Sequence, residues 1–411
     1  MSITSKRVGA DVLILGGGLV GATQALALAR HGLTSVVVDP ADPAVTLAPE
    51  FDGRASAIAS ASGRMFDAIG LSERLAGQGC PIAAIRVSDG LAPGRLDFTP
   101  DENDGALGTM YENRALRRAI HAAVEEVGEV DLRMKTRALA VERGPHGVTA
   151  TLSDGSEVRA PLLIAAEGRN SPTRDAAGIQ VARWRYDHAA IIGAFHHERP
   201  HEQVAYEIFY PSGPFALLPL VDDEVGHRSA IVWTVAAGDA AGMLKLFDRA
   251  FLAEAEKRMG GFLGKLYEAS PRASYPLGFH HAARITAERL ALVGDAGHGI
   301  HPIAGQGLNL GLRDVAALTE VLVEGKRVGL DLGDAALLER YQRWRALDTF
   351  AIAAATDSLA RLFGIPGRAA SAVRRLGISA VNAVDPLKRA FMAEARGQSG
   401  DLPRLLTGAV V

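Results

Sequence analysis

The chain has a single cysteine, Cys80, among its 411 residues. One thiol cannot supply a disulfide framework, a CxxC zinc site or a dithiol redox centre within one chain. A reducing, cytoplasmic setting fits that composition. An excess of one charge sign is also missing. The formal net charge is −3, which argues against a general role on nucleic acid, where a clustered basic surface is needed. No charge-free apolar run approaches the ~18 residues of a membrane span, so no transmembrane helix is expected. The hydrolase elbow GxSxG and the phosphate loop GxxxxGK[ST] are absent. The 12 histidines include adjacent pairs, but no carboxylate or cysteine stands beside them at metal-ligand spacing, so no metal is expected. The remaining composition, 48% hydrophobic and 22% charged, suits a globular chain with two or three structural units.

Glycine, by contrast, is placed with purpose. Ala10–Leu15 reads as a buried strand and Gly16-Gly17-Gly18-Leu19-Val20-Gly21 follows at once. The spacing predicts a helix over Leu19–Arg30, stopped by His31-Gly32, and a second strand over Thr34–Val38 that ends at Asp39. Gly16, Gly18 and Gly21 occupy the GxGxxG positions of a βαβ dinucleotide site. Gly16 permits the tight turn, Gly18 leaves room for a pyrophosphate, and Gly21 lets helix and strand pack closely. Leu19 and Val20 open the helix, whose free N–H groups and dipole favour an anion. Asp39, 23 residues after Gly16, is placed to accept hydrogen bonds from the ribose hydroxyls. This motif does not separate NAD from FAD.

A second glycine-rich segment, RLALVGDAGHGIHPIAGQGLNLG, spans residues 289–311. Leu290–Val293 reads as a short strand ending at Asp295, which can accept from a polyol hydroxyl. A turn over Pro302–Gly307 then leads into a helix running through Leu322, with a dipole suited to the electron-rich N1–C2=O edge of a reduced flavin.

The stretch VGDAGHGIHPIAGQGLNLGLRD resembles the second flavin motif of the class A flavoprotein aromatic hydroxylases, with the para-hydroxybenzoate hydroxylase fold. More narrowly, it is similar to the ubiquinone-biosynthesis hydroxylases of the UbiH/UbiF/VisC type. The resemblance implies that Asp295 contacts the flavin ribityl chain, and that Pro302, Gly305, Gln306, Gly307, Leu308 and Asn309 lie along the isoalloxazine. Asp52–Ile58 resembles the family's DGRA segment, which puts Arg54 near the flavin. Tyr111–Leu116 resembles a helix start whose arginine, Arg114, reaches the phosphate side. Residues 162–174, LLIAAEGRNSPTR, are similar to the family's ADGxxSxxR motif, but Glu167 replaces the usual aspartate. Tyr341–Gly364 resembles the C-terminal helix of the ubiquinone hydroxylases, with Leu347, Phe350, Ala351, Ala354 and Ala355 able to share one face.

Between Arg183 and Val235 the pattern becomes strand-rich: Ala189–His196, Gln203–Tyr210, Phe215–Leu220 and Arg228–Val235, with Ile85–Ser88 and Arg95–Phe98 as a further hairpin. The expected fold is α/β. A Rossmann-like FAD-binding domain (1–84, 101–180 and 275–325) carries an inserted antiparallel-sheet substrate domain (85–100 and 181–274) and a helical C-terminal region (326–411). Phe209, Phe215, Leu217 and Pro219 are candidate cavity walls. The resemblance implies an FAD-dependent hydroxylase that uses NAD(P)H and O2, acting through a C4a-hydroperoxyflavin on a polyprenylated phenol or benzoquinol of ubiquinone biosynthesis. The lipid substrate implies work at the cytoplasmic face of the inner membrane or within a biosynthetic complex. No catalytic side chain is identified by the sequence. Two alternatives stand: another flavoprotein of this fold (a prenyl reductase or a hydroxylase of a small soluble phenol), or a non-enzymatic nucleotide-binding subunit.

Overall fold

A computed structural model describes residues 7–91, 94–100, 105–299, 305–346, 381 and 384–411. Among these, the strands form four sheets. The central one runs, edge to edge, through Thr286–Ala287, Leu290–Leu292, Leu162–Ala165, Val12–Leu15, Ser35–Val38 and Val130–Arg133. All of its pairings are parallel except the edge pair Thr286–Ala287 with Leu290–Leu292. A parallel sheet is covered on both faces, so its strands are continuous apolar runs. Val12, Leu13, Ile14 and Leu15 are all buried, as are Leu162–Ala165. The strand expected from Ala10 starts at Val12, two residues later, after a separate short strand Arg7–Gly9.

The helix Leu19–Ala29 lies on this sheet, and its small alanines let the helix Gln306–Arg327 pack across it. Gln24 Nε2 donates to Thr319 Oγ1 at 2.9 Å in that contact. The helix ends at Arg30, and Gly32 takes the left-handed conformation that reverses the chain. A smaller sheet (Arg7–Gly9, Glu157–Ala160, Gly147–Leu152, Ala138–Gly144) flanks it, and Ala55–Ala59, Gly108–Glu112 and Gly79–Ile82 form another.

The large sheet has the order His298–Gly299, Ala273–Ala282, Val181–His197, His227–Ala236, Gly213–Pro219, Val204–Tyr210, Ala84–Asp89, Arg95–Phe98, with Leu266–Tyr267 added to Val181–His197. It is antiparallel except where Val204–Tyr210 pairs in parallel with Ala84–Asp89. Two strands exceed expectation. Val181–His197 begins eight residues before Ala189, and Ala273–Ala282 brings a segment next to the second flavin motif into this sheet. One face buries Ile191, Ile208, Phe215, Leu217, Ile231 and Trp233 under the helix Asp248–Met259. The opposite face meets the Ala55–Ala59 strand and the three-stranded sheet.

Candidate active site

The first glycine loop is held by contacts that leave no room for side chains at two of its positions. Gly16 has φ +102°, and a Cβ there would lie 2.4 Å from the Ala166 carbonyl oxygen. A Cβ on Gly21 would lie 1.9 Å from the Gly16 carbonyl oxygen. Gly18 differs: it is exposed, and a Cβ would meet nothing within 4 Å. Gly18 is the N-cap of Leu19–Ala29 and supplies no side-chain cap, so the first-turn N–H groups of that helix face open space. Asp39 sits beside the loop. Its Oδ2 accepts from Gly17 N at 2.6 Å and its Oδ1 from Ala41 N at 2.7 Å, which fixes the carboxylate while leaving lone pairs for further donors.

The two glycine motifs meet directly. Val20 packs on Gly294 and Gly311, where added Cβ atoms would lie 3.2 and 2.8 Å from its Cγ2. The second helix, Gln306–Arg327, starts from Gly305 at φ +63°, again without a side-chain cap. A Cβ on Gly307 would meet nothing within 4 Å, whereas one on Gly305 would lie 3.3 Å from Ala57 Cβ. Leu308 is half-buried in the same turn, and Gln306 is buried. Asn309 is committed within the protein: its Oδ1 accepts from Ala59 N and Ser62 Oγ, and its Nδ2 donates to Ala57 O and Gly305 O. It clamps the loop onto the Ala55–Ala59 strand. Pro302 lies outside the described residues, as do Leu347, Phe350, Ala351, Ala354 and Ala355.

Asp295 stands in the 3-10 turn Gly294–Ala296 with its side chain open to solvent. The protein around it desolvates the carboxyl group and raises it above the ordinary aspartate range, with His298 and Arg169 pulling the other way. An acid that is water-accessible yet closely surrounded lies in a cleft. His280 flanks it, with Nε2 2.7 Å from Asp295 O. Burial pushes His280 down to about 4, so its ring is neutral near pH 7 and Nε2 is the donor.

Asp314 links this turn to the C-terminal segment. Its Oδ2 accepts from Gly294 N at 2.8 Å and lies 2.6 Å from His298 Nε2, while Arg345 Nε donates to its Oδ1 at 2.8 Å. Burial alone would raise this carboxyl group, but His298 and Arg345 hold it below the usual range. Tyr341 donates its hydroxyl to Leu292 O. Tyr341 and Arg345, within the YQRWR residues that resemble the family's C-terminal helix, thus brace the Gly294–Ala296 turn. Asp314 and Arg345 were not singled out by sequence reasoning; a charge pair inside the apolar run LGLRDVAAL was the available signal.

Arg54 is exposed at the start of the Ala55–Ala59 strand, close enough to Tyr275 to lower its phenol, as Arg169 also does, although burial raises it on balance. Arg169 also approaches Gly278 and Gly299, whose Cβ atoms would lie 3.6 and 3.2 Å from its guanidinium nitrogens. Arg114 pairs with Glu112 and donates to Pro49 O, tying the 43–52 segment to the helix Asn113–Glu126. Glu167, at the unusual position, accepts from Ser171 Oγ and Thr173 N and so caps the short helix Pro172–Ala176. The longer side chain turns back on its own loop.

The cavity-wall candidates divide between the two faces of the large sheet. Phe209 lies on the face toward the Ala55–Ala59 strand, among Cys80, Ile82, Met110 and Met392. Phe215 and Leu217 lie on the other face, in the core under Asp248–Met259. Pro219 follows their parity. The structure does not bring these three together with Phe209.

The donor set fits an FAD. Two uncapped helix N-termini, a fixed carboxylate at one motif and an exposed one at the other match a dinucleotide with a pyrophosphate, a ribose and a polyol chain. Comparison with known proteins agrees. The FAD binding domain family matches residues 9–355. The chain is 47% identical to the ubiquinone hydroxylase UbiL of Rhodospirillum rubrum, covering 97% of this chain and 93% of that protein. It is 32% identical to the 3-demethoxyubiquinol 3-hydroxylase of Escherichia coli, covering 94% and 98%. Among solved structures, p-nitrophenol 4-monooxygenase PnpA from Pseudomonas putida shares the fold at a TM-score of 0.79 and 17% identity, covering 97% of this chain and all of that one.

Proposed function

This chain belongs to the FAD binding domain family, and on that premise we propose that it hydroxylates the ring of a polyprenylated phenol or benzoquinol intermediate of ubiquinone biosynthesis. It is an FAD-dependent monooxygenase. The observation that carries the substrate assignment is the similarity to a ubiquinone hydroxylase along nearly the whole chain.

Bound FAD would supply the redox chemistry: hydride acceptance from NAD(P)H and activation of O2 towards an electron-rich ring. The chain's own residues bind and orient. The N-terminus of Leu19–Ala29 beside Gly18 receives the pyrophosphate, and Asp39 the adenosine ribose. Asp295 takes the ribityl hydroxyls. The N-terminus of Gln306–Arg327 directs its dipole at the N1–C2=O edge, where negative charge gathers on reduction. Arg54 contacts the ring side and Arg114 secures the phosphate side through the 43–52 segment. The inner face of the large sheet, with Phe209, floors the substrate cavity and excludes water.

Among the described residues no helix is long and apolar enough to cross a membrane. A prenylated substrate is nonetheless a membrane lipid, so the enzyme works from the cytoplasmic face of the inner membrane or within a biosynthetic complex. The division into flavin domain, substrate domain and C-terminal helices is part of the same reading. Deleting the gene and identifying quinone intermediates by mass spectrometry tests it. A prenylated aromatic lacking one ring hydroxyl should accumulate and ubiquinone should fall; an unchanged quinone profile contradicts the assignment.

A further inference from the structure

The inner face of the large sheet carries a carboxyl group with no structural role. In the strand Val204–Tyr210, Tyr206, Ile208 and Tyr210 point into the outer core, while Ala205 and Phe209 belong to the inner cluster. Glu207 shares the parity of Ala205 and Phe209, so it lies on the inner face. In register it stands between Val87 and Ala216, and the row continues through Val232 to Ile192. The row is therefore aliphatic apart from Glu207. From Glu207 to Ile192 it crosses three inter-strand steps, about 14 Å, enough for an aromatic ring and the start of a prenyl chain.

The roof over this row belongs to the flavin site. Ala55 and Ala57 pack against the cluster that holds Ala205 and Phe209. Ala57 also touches the Gly305 turn, and Gly53 sits over the Ile192 end, where its Cβ would be 4.0 Å from Ile192 Cδ1. Glu207 is half-buried, and its carboxyl group has no hydrogen-bond or ion-pair partner among the described residues. By contrast, half-buried Glu112 is paired with Arg228 and buried Asp314 with Arg345. A lone carboxyl group on an apolar floor costs stability and marks a functional site.

We propose that Glu207 binds the ring hydroxyl of the substrate and accepts its proton during hydroxylation. The assignment rests on the ring-hydroxylase reading above. The phenol O–H bond breaks, the proton forms a new O–H bond on the Glu207 carboxylate, and the electron pair left on oxygen enriches the ring carbons that receive the oxygen atom. The proton then returns to that ring oxygen in the product and Glu207 is again a carboxylate. Burial pushes Glu207 up to about 8 with no opposing charge. That is nearer to a phenol, at about 10, than an ordinary glutamate is, so such matching favours proton transfer, and the carboxylate that accepts the proton is the minor form near pH 7 and grows as pH rises through about 8.

The test compares wild-type holoenzyme with Glu207→Gln and Glu207→Asp. The first readout is the absorbance of bound 2-prenyl-4-nitrophenol at the free probe's own pKa. The bound probe should be nitrophenolate in wild type and neutral in Glu207→Gln; identical spectra overturn the assignment. The second is turnover of a prenylated phenol. Glu207→Gln should keep its FAD and its reduction by NAD(P)H and melt no lower than wild type, yet lose about 100-fold or more in kcat with a small change in KM; Glu207→Asp should recover part of the rate. If wild type hydroxylates and Glu207→Gln does so equally well, the assignment alone is wrong. If FAD-loaded wild type hydroxylates no prenylated phenol, the functional reading fails and takes the assignment with it.

Discussion

Gly18 and Gly21 stand three residues apart in one motif, yet only at Gly21 does the protein itself exclude a side chain. At Gly21 the obstacle is the protein's own backbone, the Gly16 carbonyl oxygen at 1.9 Å from an added Cβ. At Gly18 the protein offers no obstacle, so any requirement for glycine comes from the ligand. Gly21→Ala should lower the stability of the apoprotein by about 2 kcal/mol or more, because helix and strand must separate. Gly18→Val should leave apoprotein stability within about 0.5 kcal/mol while weakening FAD binding at least tenfold. Denaturant melts of apoprotein, paired with flavin fluorescence titrations, measure both. Equal stability losses in the two variants would mean that Gly18 serves the fold and not the cofactor.

Between elements, the bracing of the Gly294–Ala296 turn is concentrated in Asp314. One buried carboxylate holds the Gly294 amide, His298 and Arg345, so the Gly294–His298 turn and the segment that carries Arg345 both depend on it. Removing one partner leaves a buried charge poorly compensated, which costs ~3–5 kcal/mol. Arg345→Leu should show a loss of that size by denaturant unfolding and should release FAD faster. A variant with native stability and flavin retention would show that the clamp is dispensable. Much of this layer was legible in the sequence. The first βα unit and the strands around 204–236 came from apolar runs and alternation, and their ends moved by one or two residues. The long strand Val181–His197 was less visible, because the charged Arg183, Arg185 and Asp187 break up its apolar residues and a register shift separates Arg185 from Ala189. Ala273–Ala282 was hidden by Pro276 and Gly278, residues that ordinarily argue against a strand. Alternation also defines two faces without saying which meets the cofactor. Phe215 and Leu217 are apolar because they fill the outer core, while Glu207, which reads as a solvent-facing residue, lies on the inner face.

At the scale of the whole molecule, the chain places the inner face of its large sheet against a dinucleotide fold and joins them along one strand. Ala55–Ala59 touches the Gly305 turn, donates to Asn309 through Ala59 N and accepts from it through Ala57 O, and packs on the inner face of the large sheet. The order of glycine motifs in the sequence showed the cofactor fold. It could not show that strand's double contact, which depends on segments some 250 residues apart meeting in space. The central claim is that this arrangement inserts an oxygen atom from O2 into a prenylated aromatic ring. Its most direct test is turnover of purified holoenzyme with NAD(P)H and a prenylated phenol under oxygen-18 gas. The account predicts a hydroxylated product carrying a single heavy oxygen atom on the ring. Oxygen uptake without labelled product, or a product reduced in its prenyl chain, would contradict it.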